Sequence, residues 1–418
     1  MANFWDFSVW GGFNILAVLL ISLLFANFLK KTFRILRVSL IPTSVLAGVI
    51  LLVISTAYQA IFGDIIFDTA FFGGNGMAGM EVITYHALAL GFIATSLKSS
   101  EKKMTKERSV EIFNTGVTTV ATYLLQGVVG MGITVLIALV VDGFFPAAGV
   151  LLPFGYGQGT GQTLNYGSIY EADYGFVGGK SFGLTIAAFG FLSASIGGVI
   201  HLNILKKQKK IVLFEESENS PDVEFQSDNE IAINGNLDKL TVQIALIAIA
   251  YFAAYLLMYG LSWLLPSMQS VVYGFNFLIG VLMATLLKTV MKALQKKNIA
   301  KKQYTNNFLL DRIGNSCFDV MVVAGIAAIR LDLMKQYWWI LLLLGVVGLV
   351  ITYFYVRWTS YALFPSYKDE QFLAMYGMLT GTASTGIILL REMDGDFKSP
   401  VAENLVYQNF PAIVFGFR

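Results

Sequence analysis

The chain is poor in the residues that carry most enzyme chemistry. Its 418 residues include one cysteine, Cys317, and two histidines, His86 and His201. A single cysteine excludes an intrachain disulfide framework, and two histidines leave almost no material for a His/Cys metal site. Charged residues are only 13% of the chain, and a net charge of +2 is too small to point to nucleic acid. No Ser/His/Asp set or metal-binding cluster with convincing spacing is present, which argues against an enzyme or a bound cofactor. What is abundant is apolar surface: 56% of residues are hydrophobic and the mean hydropathy is +0.66, the composition of a polytopic membrane protein.

Apolar runs of spanning length fall at about 11 to 29, 40 to 58, 84 to 97, 112 to 141, 181 to 205, 239 to 264, 270 to 288, 315 to 330, 337 to 356 and 400 to 418, the third of them short. The expected fold is all-α, with about ten transmembrane helices. Met1 to Trp10 lacks a basic n-region, so the first run reads as a span and not as a cleaved signal. The last span is expected to be incomplete at Arg418. Basic residues gather after the first, third, fifth and seventh runs, as at Lys30 to Arg37 and Lys206 to Lys210, while the other loops carry mainly acids such as Asp64, Asp142 and Asp173. The positive-inside rule then puts the N-terminus outside, in a multi-pass protein of the cell membrane. Residues 206 to 238 read as a solvated cytoplasmic linker, with a regulatory tail as the alternative.

Two glycine-rich stretches interrupt the apolar runs. Residues 155 to 161, Gly-Tyr-Gly-Gln-Gly-Thr-Gly, hold four glycines in seven positions. Each would cost about 1 kcal/mol relative to alanine inside a continuous helix, so a break is expected there. The pattern Tyr-Gly-x-x-Thr-Gly recurs at Tyr376 to Gly381, and Glu171 and Glu392 follow at nearly the same spacing. Two broken apolar segments at corresponding places in two halves point to the binding site of a secondary transporter. The expected organisation is one repeat over 1–205 with a re-entrant loop near 147–171, the linker, and a second repeat over 239–418 with a re-entrant loop near 370–392. Five spans per half is an odd number, so the two halves are inverted.

A broken helix offers free amides and partial positive charge at one end, which suit a carboxylate, and free carbonyls at the other, which suit sodium. Hydroxyls of Thr160, Thr380, Thr382, Ser384 and Thr385 add oxygen ligands. Asp319 stands four residues after Asn315, and reads either as a ligand of a cation or a substrate ammonium, or as a boundary residue paired with Arg312. Arg330 and Arg391 could bind a carboxylate bidentately or snorkel to the interface. Gly197, Gly198, Gly345 and Gly348 read as helix-packing positions. His86 and His201, having no carboxylate partner on their own helix faces, read as interfacial, as do the pairs Trp338-Trp339 and Phe144-Phe145.

The chain resembles the bacterial sodium/glutamate symporter family, fold relatives of the sodium/citrate symporters. The resembling residues are Gly157-Gln158-Gly159-Thr160-Gly161, Tyr174-Gly175-Phe176, Ala188-Phe189-Gly190 and Ile196-Gly197-Gly198, with Ile313-Gly314-Asn315 and Gly377 to Thr385 in the second half. The resemblance runs through nearly the whole chain in span order. It implies a homodimeric symporter in which sodium drives uptake of L-glutamate by an elevator motion, and a site lined by both glycine-rich stretches. The chain differs from the family pattern at Gln162-Thr163, where small residues are usual, and at Ser384, where a proline is usual. Together these readings assign substrate binding to Gly157, Gln158, Gly159, Thr160, Gly161, Gln162, Gly381, Thr382, Ser384 and Arg391. They assign sodium to Thr160, Asn315, Asp319, Thr380, Thr382 and Thr385. Symport of another small carboxylate, a dicarboxylate or citrate, is the alternative, and a cation channel is a further one.

Overall fold

A computed structural model describes residues 3–98, 106–208, 230, 237–297, 302–394 and 399–408. Every described element is a helix, apart from an isolated backbone bridge between Glu230 and Gln303. In chain order the helices are α1 (Phe7–Thr32), α2 (Arg34–Val38), α3 (Thr43–Phe62), α4 (Gly76–Leu97), α5 (Lys106–Ala138), α6 (Leu151–Tyr174), α7 (Gly179–Lys207) and α8 (Lys239–Leu264). There follow α9 (Gln269–Gly274), α10 (Asn276–Lys296), α11 (Asn307–Ala327), α12 (Leu331–Met334), α13 (Trp338–Leu363), α14 (Lys368–Leu379), α15 (Ala383–Arg391) and α16 (Val401–Tyr407).

Among the described residues eight helices are long and apolar enough to cross a membrane: α1, α3, α4 with the turn before it, α5, α7, α8, α10 and α13. The chain is therefore an all-helical, multi-pass type of molecule. The apolar run expected at 315 to 330 lies mostly in α11, which starts earlier and ends at Ala327, carries Asp311, Arg312 and Asp319, and is not among the eight. The short run expected at 84 to 97 is the end of a 22-residue helix. Its first turns were hidden by Glu81, which is not a break: its carboxylate pairs with Lys180 at 2.7 Å. Most of the expected last span, 409–418, and most of the linker lie outside the described residues.

The helices form two compact units, each drawing on both halves of the sequence. The larger comprises 1–81, 104–217 and 322–418 and so contains α1 to α3, α5 to α7, α12 to α16, the start of α4 and the end of α11. Among its described residues are two apolar cores. One is aromatic, with Phe144, Phe176, Phe182 and Tyr337 packed ring to ring around Met334 and Ile340. Phe144 is thus a core residue and not part of an interfacial belt, because the turn before α6 folds it inward; Trp338 does remain exposed. The other core gathers Phe372, Tyr376 and Leu379 of α14, Leu389 and Leu390 of α15, Leu202 of α7 and Val356 of α13.

The smaller unit, 82–103 and 218–321, packs α8 and α10 with most of α4 and α11. Ile93, Ala94, Leu97, Ile247, Ala250, Ala284 and Leu310 form its core. Asp238 caps α8, its carboxylate accepting from the Leu240 and Thr241 amides at 2.9 and 3.2 Å, a contact worth about 1 kcal/mol. Beside this cap the buried Lys239 ammonium donates to Glu230 at 2.6 Å, and Asn306 donates to the same carboxylate at 2.7 Å. The pair holds Glu230, a residue of the linker region, against the first turn of α8.

Candidate functional site

The site is built on two helical hairpins of the larger unit. In α6 the helical backbone fails at Gly159, whose φ of 78° and ψ of −166° suit glycine and strain any other residue. The two arms on either side fold back on each other. In a straight helix Phe154 and Tyr166 would lie about 18 Å apart along the axis. Instead their rings stack with centroids 3.7 Å apart. A Cβ on Gly155 would likewise come within 3.1 Å of the Thr163 side chain.

The second hairpin is α14 and α15, joined by Thr380, Gly381 and Thr382. Its arms approach through glycine: a Cβ on Gly377 would meet Gly386 Cα at 2.8 Å, and a Cβ on Gly386 would collide with the Ala374 carbonyl. The helix break is therefore at the expected place in each glycine-rich stretch. Each break is the tip of a hairpin whose arms need small residues on their inner faces.

The two tips meet. A Cβ on Gly159 would lie 3.1 Å from Thr382 Cγ2 and 3.7 Å from the Gly381 carbonyl, with the Phe191 ring of α7 beside both tips. Gly190 lets α7 approach the second tip, since a Cβ there would fall 2.6 Å from the Thr380 carbonyl and 3.2 Å from Tyr156 Cα. The positions assigned to helix packing serve these same hairpins: Gly197 faces Tyr376, Gly198 faces Leu389 and Gly348 faces Tyr156.

The arms below the tips are held by matched polar contacts. The buried Tyr156 hydroxyl donates to the Gly345 carbonyl of α13 at 2.5 Å and lies 2.9 Å from Ser193 Oγ on α7. The buried Tyr376 hydroxyl donates to the Ser193 carbonyl at 2.8 Å. The two tyrosines of the repeated pattern therefore converge on one serine. From α5, the Tyr123 hydroxyl donates to the Gly157 carbonyl at 3.0 Å, and the Gln126 amide donates to the Leu379 carbonyl at 3.0 Å and to Thr352 Oγ1 at 2.8 Å. Carbonyls near the end of each first arm are thus drawn into the protein by a partner on α5.

What this arrangement offers a ligand follows from helix ends. The first turn of α15 presents amides without intrahelical partners beside Thr382, an environment for an anion. The Thr382 and Thr385 hydroxyls are 3.3 Å apart there, and Ala383 and Ser384 are exposed. Oxygen atoms at the tips include the carbonyls of Thr380 and Gly381 and these hydroxyls, a donor set that suits a hard cation. The Thr380 hydroxyl itself donates to the Tyr376 carbonyl at 2.6 Å. One polar atom is conspicuous: Gln162, one turn beyond the first tip, is 1% exposed and its Oε1 accepts no hydrogen bond. A buried carboxamide oxygen without a donor is costly, and a ligand or water would relieve it.

Of the residues assigned from sequence, Gly159, Gly381 and Thr382 come together at the tips. Gly157, Thr160, Gly161 and Gln162 are buried in the first hairpin, with Gln158 partly exposed, and Thr380, Ser384 and Thr385 belong to the second tip. Thr160 faces α11, where a Cβ on Gly325 would lie 2.7 Å from its Cβ. Arg391 is exposed at the far end of α15, at the base of the hairpin and away from its tip. Arg330 follows α11, and its guanidinium pairs with Asp332 at 3.1 Å. Asn315 and Asp319 stand exposed on the part of α11 that falls in the smaller unit. Tyr156, Tyr376, Ser193, Phe191 and Gln126 were not among the assigned residues. The tyrosines were visible as the first letter of the repeated pattern; Ser193 and Gln126 carry no local signal, because their roles arise from other helices.

No protein-family model matches the chain, and no curated protein matches it.

Proposed function

We propose that the chain is a secondary active transporter that couples sodium entry to uptake of a small carboxylate, with L-glutamate as the first substrate to test. The observation that carries this reading is the meeting of two hairpin tips inside one unit. Such a pair brings helix-end amides suited to an anion close to carbonyl and hydroxyl oxygens suited to a cation. In the membrane the hairpins act as re-entrant loops entering from opposite faces, as the two halves of an inverted repeat, with the N-terminus outside. The hairpin-bearing unit is the moving part of an elevator cycle, and the protein works as a homodimer in a bacterial cell membrane. Sodium orders the tips and raises affinity for the carboxylate, a coupling that is reciprocal in binding free energy.

The test is uptake of radiolabelled L-glutamate into proteoliposomes under an inward sodium gradient, with potassium replacing sodium as the control. Sodium-dependent uptake displaced only by glutamate-like compounds supports the proposal. Displacement by citrate or a dicarboxylate instead keeps the mechanism and assigns Gln162, Thr163 and Ser384 to a different substrate. Uptake that ignores sodium contradicts the coupling. Thr380→Val and Thr160→Val remove hydroxyls at nearly constant volume and should each weaken the sodium dependence. Unchanged sodium curves in both remove these side chains from the cation site.

A further inference from the structure

Away from the hairpins, the smaller unit carries its charge at one end. From Leu240 to Leu287, through α8, α9 and most of α10, the chain has no charged side chain, and six lysines then fall between Lys288 and Lys302. Three of the described lysines at this end are already engaged. The Lys98 ammonium pairs with Asp311 at 2.7 Å, and Lys239 pairs with Glu230 at 2.6 Å. Lys288 donates to the Ser96 and Lys98 carbonyls at 2.7 and 3.0 Å and so closes the end of α4. Asp238 is spent on the amides of α8, and the Arg312 guanidinium lies over the Phe308 ring.

Lys292, Lys296, Lys297 and Lys302 are left over. All four are exposed, and none has a carboxylate within 4 Å among the described residues. The Gln295 carboxamide donates to the Lys302 carbonyl at 3.1 Å and holds that residue beside the end of α10. The same helix presents Leu282, Leu286, Val290 and Leu294, spaced by four residues and all exposed, as an apolar stripe that runs up to the lysines. At 1.5 Å per residue the 21 residues of α10 extend about 32 Å, close to the thickness of the hydrocarbon core of a bilayer. With its uncharged start at one face of the membrane, its last turns reach the lipid headgroups at the other.

We propose that the C-terminal end of α10 binds an anionic phospholipid, with an acyl chain along Leu286, Val290 and Leu294 and the phosphate held by Lys292 and Lys296. Lys297 and Lys302 add to the positive field. Charge and shape both select this occupant. A soluble phosphate would satisfy the lysines but leave the apolar stripe unused. A zwitterionic lipid would cover the stripe but bring a cation of its own against the lysines. An anionic lipid meets both, and its headgroup also offsets the repulsion among ammonium groups that follow one another at four-residue spacing from Lys288 to Lys296. The proposal requires that α10 cross a membrane; it does not depend on the transport reading.

The test irradiates full-length protein in detergent micelles with a phosphatidylglycerol that carries a photoreactive acyl chain, and maps the labelled peptide by mass spectrometry. Labelling of 282–297 is expected. Unlabelled phosphatidylglycerol should displace it at a concentration about tenfold below that needed for phosphatidylcholine, and glycerol 3-phosphate should not displace it. Lys292→Gln and Lys296→Gln should each weaken labelling about fivefold at limiting lipid, the worth of one lysine beside an anionic headgroup. Arginine at both positions should restore it, and Lys31→Gln at the end of α1 should leave it unchanged. Equal displacement by phosphatidylcholine overturns the proposal, as does unchanged labelling in the double glutamine variant. Displacement by glycerol 3-phosphate would make this a site for soluble phosphate and overturn it too. So would labelling that appears only after Glu215, Glu216 and Glu218 are changed to glutamine, since the lysines would then belong to the chain's own acids. No readout involves a transported substrate, so failure here is distinct from failure of the transport reading.

Discussion

The two hairpins begin from the same sequence pattern and close it differently. The first is sealed by side chains: Phe154 stacks on Tyr166, Thr163 fills the space beside Gly155, and every residue from Gly159 to Asn165 is buried. The second is closed by backbone contact between Gly377, Gly386 and the Ala374 carbonyl, and beyond its tip Ala383 and Ser384 are exposed. The first tip needs one left-handed glycine, whereas the second turns through three residues and has no positive φ among them. The first hairpin is thus closed around its tip, whereas the second leaves two residues just beyond its tip exposed. At the base of the second hairpin, the buried Asp369 side chain lies 3.6 Å from His201 of α7.

The most disruptive way to test this contrast is Gly386→Val. The added atoms collide with backbone that cannot rotate away, so the cost is placed at about 3 kcal/mol, the upper part of the range for overpacking. Thermal melting of the purified protein should show a large fall. A melt like that of the wild type would mean that the second hairpin's arms can separate freely.

Smaller in effect is Gly159→Ala against Gly381→Ala. Gly159 has a φ of 78°, so alanine there costs about 1–2 kcal/mol in backbone strain before its contact with Thr382 is counted. At Gly381 the nearest obstacle is the Thr385 hydroxyl, 2.9 Å from the new Cβ, a side chain that can rotate, and the Gly377 carbonyl at 3.1 Å needs only a small shift, so the loss should be about 1 kcal/mol or less. Equal losses in denaturation would deny the first tip its special backbone.

The smallest differences are expected from Tyr156→Phe and Tyr376→Phe. Each loses a buried hydrogen bond worth about 1 kcal/mol. Tyr156→Phe should cost more, since the Gly345 carbonyl loses its donor and Ser193 Oγ loses a partner, whereas Tyr376→Phe affects only the Ser193 carbonyl. The double variant should cost less than the sum of the singles if Ser193 couples the hairpins, and a strictly additive result would separate them.

How much of this was legible in the sequence depends on the range of the interaction. Glycine weakens a helix locally, so both breaks could be located from Gly155 to Gly161 and from Gly377 to Gly381 without any tertiary information. Spanning helices were visible through their apolar runs, but their starts were not. α4 begins before the expected run because Glu81 finds Lys180, and α11 holds three charged residues that a hydropathy argument discounts. Phe144 was misread because an aromatic residue at the end of an apolar run has the same local signature whether it faces an interface or a core. The convergence on Ser193, the Gln126 contact with Leu379 and the His201 pairing are all long-range, and no spacing within one helix encodes them.

The central claim is that the two tips jointly enclose one site for a carboxylate and a cation. Its most direct test uses Ser384→Cys in a Cys317→Ser background, where the introduced thiol stands alone at the exposed edge of the second tip. Its alkylation by a membrane-impermeant maleimide is measured in inside-out and right-side-out vesicles, with and without sodium and L-glutamate. The account predicts that sodium and a bound carboxylate together slow labelling about tenfold from the accessible side, equivalent to ~1.4 kcal/mol of protection, and that either alone does much less. Labelling at the same rate under all conditions, across glutamate, dicarboxylates and citrate, would contradict a shared site at the hairpin tips.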